Sequence, residues 1–223
     1  MTEGKSFSIV IVLVLVLSLG AAMLPQGKVL AQPPQYWAKT YGGVAGDNDY
    51  DDAWFIQQIP DKGYIVAGYT DRGKTVPRPC LLKLDKNGGV EWRKTYGLTD
   101  HDYTYSIQKT SDEGYIMALS KNNNFWVVKL YENGSVEWQN TYEGKNNDVA
   151  HSIQETKDGY IVAGYTSSFG AEGNDLWILK LDTDGNVGEK FPGTWQKTYG
   201  GKNDDYAYSI QQTSDGNYIV AGY

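Results

Sequence analysis

The chain has 223 residues, among them 26 glycines, 18 tyrosines and 7 tryptophans, and carries a formal net charge of −7 at neutral pH. That length holds one ordinary domain with a sizeable core, while so acidic a surface is repelled by nucleic-acid phosphates and anionic lipid heads. Cys80 is the only cysteine, which excludes an intrachain disulfide.

The N-terminus differs from everything after it. Residues 7–24 (FSIVIVLVLVLSLGAAML) are nearly unbroken apolar sequence behind Lys5, and Val29 and Ala31 stand at the −3 and −1 positions of a cleavage site before Gln32. This layout predicts a secretory signal peptide over residues 1–31, with an uncleaved membrane anchor as its rival. Either places the remainder outside the cytoplasm, secreted or at the cell surface. Loss of Glu3, Lys5 and Lys28 takes the charge from −7 to −8. A lipoprotein anchor would need a cysteine at the cleavage site, and none is there.

From residue 37 onward the chain repeats itself. A W-x-K/N-T-Y phrase begins at Trp37, Trp92, Trp138 and Trp195. An I-Q pair begins at Ile56, Ile107, Ile153 and Ile210, at spacings of 51, 46 and 57. Those spacings suit units with variable loops rather than a tight solenoid. Each unit reads as four short strands. The first is of the type SIQKT (106–110), the second GYIVAGYT (159–166), the third LWILKLD (176–182) and the fourth VEWQNTY (136–142). PDKG, SDEG, KDG and SDGN join first to second, and DKNGG, YENGS and DTDGN join third to fourth. Both sets predict hairpin turns with glycine at positive φ. The fold class expected is all-β: a β-propeller-like array of four-stranded antiparallel blades. Its blades fall at about 53–96, 104–142 and 150–199, with a partial blade at 207–223 and an N-terminal strand at 37–42. The fourth-strand tryptophans are expected to pack between blades.

The phrases DDYAYSIQQTSDGNYIVAGY (204–223) and DGYIVAGYTSS (158–168) resemble the β-propeller repeats of bacteria and archaea known as SBBP repeats. LKLDKNGGVEW (82–92) is similar to the tryptophan-docked repeats of quinoprotein-like propellers. The likeness covers nearly all of residues 36–223 and implies the propeller architecture. Quinoprotein likeness would further imply a quinone, calcium and adjacent cysteines, a pattern from which the single Cys80 departs.

Residues 37–42 form a fourth-type strand with no blade before it, well placed to be the outermost strand of the last blade. The third strand of that blade is missing. Two arrangements are therefore expected: the N-terminal part of a longer propeller cut at Tyr223, or a compact four-bladed ring with one three-stranded blade. The first leaves an unpaired sheet edge.

Candidate chemistry sits on the rim that carries the long loops 42–52, 70–79 and 166–175. One aspartate precedes each repeat isoleucine by five residues: Asp51, Asp102, Asp148 and Asp205. As a ring of acids they could hold Ca²⁺, best around Asp51 and Asp205, where Asp47, Asp49, Asp52 and Asp204 add carboxylates. As caps they would bond the backbone entering each first strand, a scaffold need that recurs in every unit. Gln57, Gln108, Gln154 and Gln211 recur in the first strands, either facing a central channel or bonding between neighbouring blades. DTDGN lacks the later bidentate Glu of a calcium loop and reads as a turn. Asn133 begins an N-glycosylation triplet, equally a plain turn. His101 lies in a loop, whereas His151 aligns with Trp54, Tyr105 and Tyr208 and so fills an aromatic position. No Ser/His/Asp set, phosphate loop or His/Cys metal spacing occurs.

The function expected is a secreted or surface-exposed, non-catalytic module that binds a protein or glycan partner through its loop rim, with no cofactor or with Ca²⁺ alone. The alternatives are an exported enzyme of quinoprotein-dehydrogenase or polysaccharide-cleaving type, and a structural repeat segment of a larger envelope protein.

Overall fold

The computed structural model describes residues 9–13, 37–41, 51–70, 78–97 and 102–223. The predicted leader apart from Ile9–Leu13, and with it Asp47, Asp49 and His101, lies outside the described residues. Those described are all-β, with no helix among them.

Among the described residues, sixteen strands form three four-stranded antiparallel meanders and two strand pairs. The strands β1 (Ile9–Leu13) and β2 (Trp37–Tyr41) form the first pair. The first meander holds β3 (Asp51–Gln58), β4 (Tyr64–Thr70), β5 (Arg78–Leu84) and β6 (Val90–Thr95). The second holds β7 (Tyr103–Lys109), β8 (Tyr115–Lys121), β9 (Asn124–Leu130) and β10 (Val136–Tyr142). In the third are β11 (Asp148–Thr156), β12 (Gly159–Thr166), β13 (Asp175–Leu181) and β14 (Trp195–Tyr199). The closing pair is β15 (Ala207–Gln212) and β16 (Tyr218–Gly222).

The second strands are apolar on both faces because the sheets stack face to face in chain order. In β8, Tyr115, Met117 and Leu119 pack on Ile65, Ala67 and Leu81 of the first sheet, while Ile116 and Ala118 pack on Tyr160 and Val162 of the third. In β12 the other face, Ile161 and Ala163, packs on Ala207 and Ile210 of the closing pair. The expected wedge of tryptophans is present. Trp92, Trp138 and Trp195 each meet a tyrosine of the following sheet edge to face, at 6.2 Å (Tyr115), 5.9 Å (Tyr160) and 5.9 Å (Tyr218) between ring centres. Each ring buries a large apolar area where two sheets meet.

Every third strand sends one lysine into the core. Lys83, Lys129 and Lys180 are nearly fully buried, and each ends on the aspartate of its own first hairpin, Asp61 at 3.2 Å, Asp112 at 2.6 Å and Asp158 at 2.8 Å. Burial alone would raise the Asp112 carboxyl. The Lys129 ammonium, the Thr110 hydroxyl and the Gly114 N–H together hold it down at about 2.

The turns correct one expectation. In the first hairpins of the first two sheets the positive φ belongs to Lys62 (69°) and Glu113 (68°), not to the glycine that follows. Gly63 and Gly114 are needed for space: a Cβ there would stand 2.3 and 2.2 Å from the carbonyl oxygens of Leu84 and Leu130. The third-to-fourth turns follow the expectation, with Gly88, Gly134 and Gly185 at 72°, 73° and 77°.

The strand at 37–41 is a second correction. Within the chain it pairs with β1, not with the closing pair. Its register repeats that of a third strand on a fourth: Ile9 faces Tyr41 and Leu13 faces Trp37, as Leu176 faces Tyr199 and Lys180 faces Trp195. Tyr41 also packs on Tyr64, Val66 and Leu82 of the first sheet. The pair β1–β2 therefore stands before the first sheet as the outer half of a preceding sheet would.

Candidate functional site

The first strands build the site. Each pairs with its second strand across a bulge at the same place, and the extra residue is Trp54, Tyr105, His151 or Tyr208. A bulge leaves one residue out of the ladder and re-aims its side chain. Here it aims all four along one line across the stacked sheets. Trp54 meets Tyr105 edge to face at 6.1 Å, Tyr105 lies 4.8 Å from His151, and His151 stacks on Tyr208 at 5.0 Å. Ring centres at these separations attract each other beyond simple area burial.

A second line of tyrosines flanks the first. Tyr69 touches Trp54 and Tyr103, Tyr165 touches His151 and Tyr206, and Tyr223 touches both Tyr206 and Tyr208. The row is half-buried at its centre and open at its ends, where Trp54 is 56% and Tyr208 50% exposed. Burial pushes the Tyr105 phenol up to about 12, with the neighbouring phenols Tyr165 and Tyr103 adding to it. Burial also depresses His151 to about 4, so its ring is neutral at physiological pH.

The bulge explains the glycine of the Y-I-V-A-G-Y phrase. Opposite it, a Cβ on Gly68, Gly164 or Gly222 would stand 1.8 to 1.9 Å from the carbonyl oxygens of Asp52, Val149 and Tyr206. In the second sheet Leu119 takes this place, facing Thr104.

The repeated aspartates sit on the same rim, at the loop leading into each first strand. Asp148 is fully buried. Its carboxylate accepts from the Gly144 N–H at 2.8 Å, from the Ser168 hydroxyl at 3.0 Å and from the Thr166 hydroxyl. Asp205 accepts from the Gly201 N–H at 3.0 Å, and Asp102, also buried, has Gly97 against its carboxylate. Each aspartate thus ties the end of one sheet to the start of the next. Asp51 is nearly buried beside Asp52, whose carboxylate accepts from the Tyr69 hydroxyl at 3.3 Å. Asp204 accepts from the Asn174 N–H at 2.9 Å. Among the described residues no group of three or more His, Cys, Asp or Glu side chains is placed to hold a metal.

Three of the repeated glutamines bridge sheets. The side-chain oxygens of Gln57, Gln108 and Gln154 accept from the backbone N–H of Lys109 (3.3 Å), Glu155 (2.6 Å) and Gln212 (2.6 Å) in the sheet that follows. Gln211 is exposed. In DTDGN, Asp182 caps its own turn, accepting from Asp184 and Asn186 at 3.0 and 2.7 Å. Asn133 does the same for Ser135 at 2.8 Å. Burial raises the Cys80 thiol to about 11, leaving it protonated and unreactive at neutral pH.

The alignment of His151 with three aromatic positions was visible in the sequence. The flanking line of tyrosines was not, because Tyr69 and Tyr165 come from second strands, Tyr223 follows one directly and Tyr206 comes from a loop. Their contact depends on how sheets stack.

No family model matches the chain, and no curated protein matches it.

Proposed function

We propose that the chain is a β-propeller-type repeat module, working outside the cytoplasm, that binds a glycan through the rim carrying the aromatic row. The stacking of the sheets in chain order, with first strands adjacent, supports the propeller arrangement. The apolar leader supports export.

The observation that carries the binding reading is the bulge row with its open ends at Trp54 and Tyr208. Sugar rings present C–H faces that pack on aromatic surfaces and hydroxyls that need polar partners. The row supplies both, with phenol groups along its length and Asn174 and Asp204 in the adjoining loops. The net charge disfavours phosphate-rich polymers as ligands. A glycan array run beside a protein pull-down tests this. Glycan binding lost in Trp54→Ala and Tyr208→Ala supports the reading, whereas capture of a protein alone, or defects confined to the opposite turns, contradicts it.

A further inference from the structure

The turn from third to fourth strand has one backbone in all three sheets. In the second sheet the Tyr131 N–H donates to the Ser135 carbonyl and the Gly134 N–H to the Tyr131 carbonyl, both at 2.9 Å. Asp85 is bonded in the same way to Gly89 and Gly88, and Asp182 to Asn186 and Gly185. What differs is the cap. Asp85 and Asp182 each accept, on one carboxylate oxygen, from the N–H groups of the third and fifth residues of their turns. Tyr131 stands in that place in the second sheet, and Asn133 takes over the cap. Its side-chain oxygen accepts from the Ser135 N–H at 2.8 Å and from the Ser135 hydroxyl at 2.6 Å.

That exchange gathers three groups on one face. Tyr131 and Ser135 stand opposite each other across the turn, so their side chains share a face, and the bond from the Ser135 hydroxyl brings Asn133 to it. Asn133 is exposed, and its Nδ2 donates to no group among the described residues. Tyr131 is 52% exposed, although its sheet is packed between two others. Its exposure therefore belongs to the turn and not to an end of the stack. Asn133-Gly134-Ser135 is also the only Asn-x-Ser/Thr triplet in the chain. The first sheet has an asparagine at the same place, Asn87, but neither the hydroxyl two residues on nor the aromatic ring two residues before.

We infer that Asn133 is the acceptor of an N-linked glycan, and that the first sugar of that glycan lies on the ring of Tyr131. The donor is an oligosaccharide carried on a lipid pyrophosphate, brought by a transferase outside the cytoplasm. A bond forms between Asn133 Nδ2 and C1 of the sugar, the bond from C1 to the pyrophosphate oxygen breaks, and one Nδ2 proton leaves to the transferase. The Asn133 carbonyl oxygen is untouched, so the cap on Ser135 survives the modification. A sugar fixed at Nδ2 presents its C–H face to the exposed ring on the same face of the turn, which shields apolar area that is otherwise wet. The inference rests on the export in the reading above. It leaves the aromatic row open, because the turns from third to fourth strand lie on the opposite rim.

The full chain, placed behind a secretion signal in a eukaryotic host, tests the acceptor whether or not its own leader exports it. Failure of export and failure of the acceptor are thereby told apart. Mass spectrometry of the tryptic peptide 130–145 is expected to find one glycan on Asn133, absent from Asn133→Gln. The same glycosylated peptide is expected from chain recovered outside the cytoplasm of its own cells. A bare Asn133 on exported chain, in either setting, overturns the inference. The contact with Tyr131 is read from urea denaturation before and after removal of the glycan by peptide N-glycosidase, which leaves a carboxylate that still accepts from the Ser135 N–H. The glycan is expected to lower the unfolding equilibrium constant about fivefold, the worth of one ring contact. That effect should persist in Tyr131→Phe and vanish in Tyr131→Ala. An equal effect in Tyr131→Ala would overturn the placing of the sugar on the ring.

Discussion

The Tyr96 hydroxyl of one sheet donates to the Gly134 carbonyl in the turn of the next, 2.8 Å away. This tyrosine directly follows the fourth strand of its sheet, and the neighbouring hairpin must pass close enough for its turn carbonyl to accept. The same bond at Tyr142 and Gly185 sets the spacing of the following pair of sheets. Tyr142→Phe is accordingly expected to cost about 1 kcal/mol, the usual net value of one such bond, read from urea denaturation. Tyr199→Phe, at an exposed position, is expected to change stability by less than about 0.5 kcal/mol. Equal effects at the two sites would remove the turn bond as the spacer.

Gly164 faces the bulge that presents His151. Gly164→Ala places a methyl group 1.8 Å from the Val149 carbonyl oxygen, and backbone cannot yield as a side-chain tip can. A loss of about 2 kcal/mol or more is expected, in the range of overpacked cores. Gly201→Ala, with open space around it, serves as the comparison and should stay within about 0.5 kcal/mol. Parity between them in thermal melts would mean that the bulge adjusts freely.

Acid should weaken the fold in two stages. The folded value of His151, about 4, lies below its ordinary 6.5. Its contribution is therefore complete above pH 6.5 and lost as pH falls toward 4, since only the unfolded chain takes up the proton in that window. Asp112, held at about 2 against an ordinary 3.8, contributes fully above about pH 4 and loses its share toward pH 2. Denaturation midpoints followed from pH 7 to 4.5 should fall for the parent and stay flatter for His151→Phe. Identical slopes would show that the buried ring is not the titrating group.

The carboxylate of Asp148 is engaged by three donors of its own chain. Asp148→Ala leaves those buried donors unpaired, and a cost of about 2 to 3 kcal/mol is expected. Calcium should leave the melting temperature of the parent unchanged. A calcium-dependent rise that disappears on substituting Asp148 or Asp205 would restore the reading of these acids as ligands.

Strand order and sheet boundaries were legible in the sequence because each strand type carries its own phrase, and turn residues separate them. The period-2 alternation is faint in LWILKLD, yet that faintness is informative: Trp177 and Leu179 face one sheet while Leu176 and Ile178 face another. Three features were hidden. The lysine of each third strand reads as a solvent position, but long-range pairing with Asp61, Asp112 or Asp158 draws it inside. The bulge itself was hidden: Trp54, Tyr105, His151 and Tyr208 align as ring-bearing positions, but only the strand register shows that each is the extra residue. The strand character of Ile9–Leu13 was masked by its place within an apolar run that reads as a leader.

Calorimetric titration of the chain with the best ligand from a glycan array tests the rim-binding account most directly, run on the parent, Trp54→Ala, Tyr208→Ala and the remote surface variant Lys190→Ala. The account predicts heat of binding from the parent and Lys190→Ala, and at least a tenfold weaker affinity in each aromatic variant. Unchanged affinity in Trp54→Ala and Tyr208→Ala would contradict it and leave the bulge row as packing between sheets.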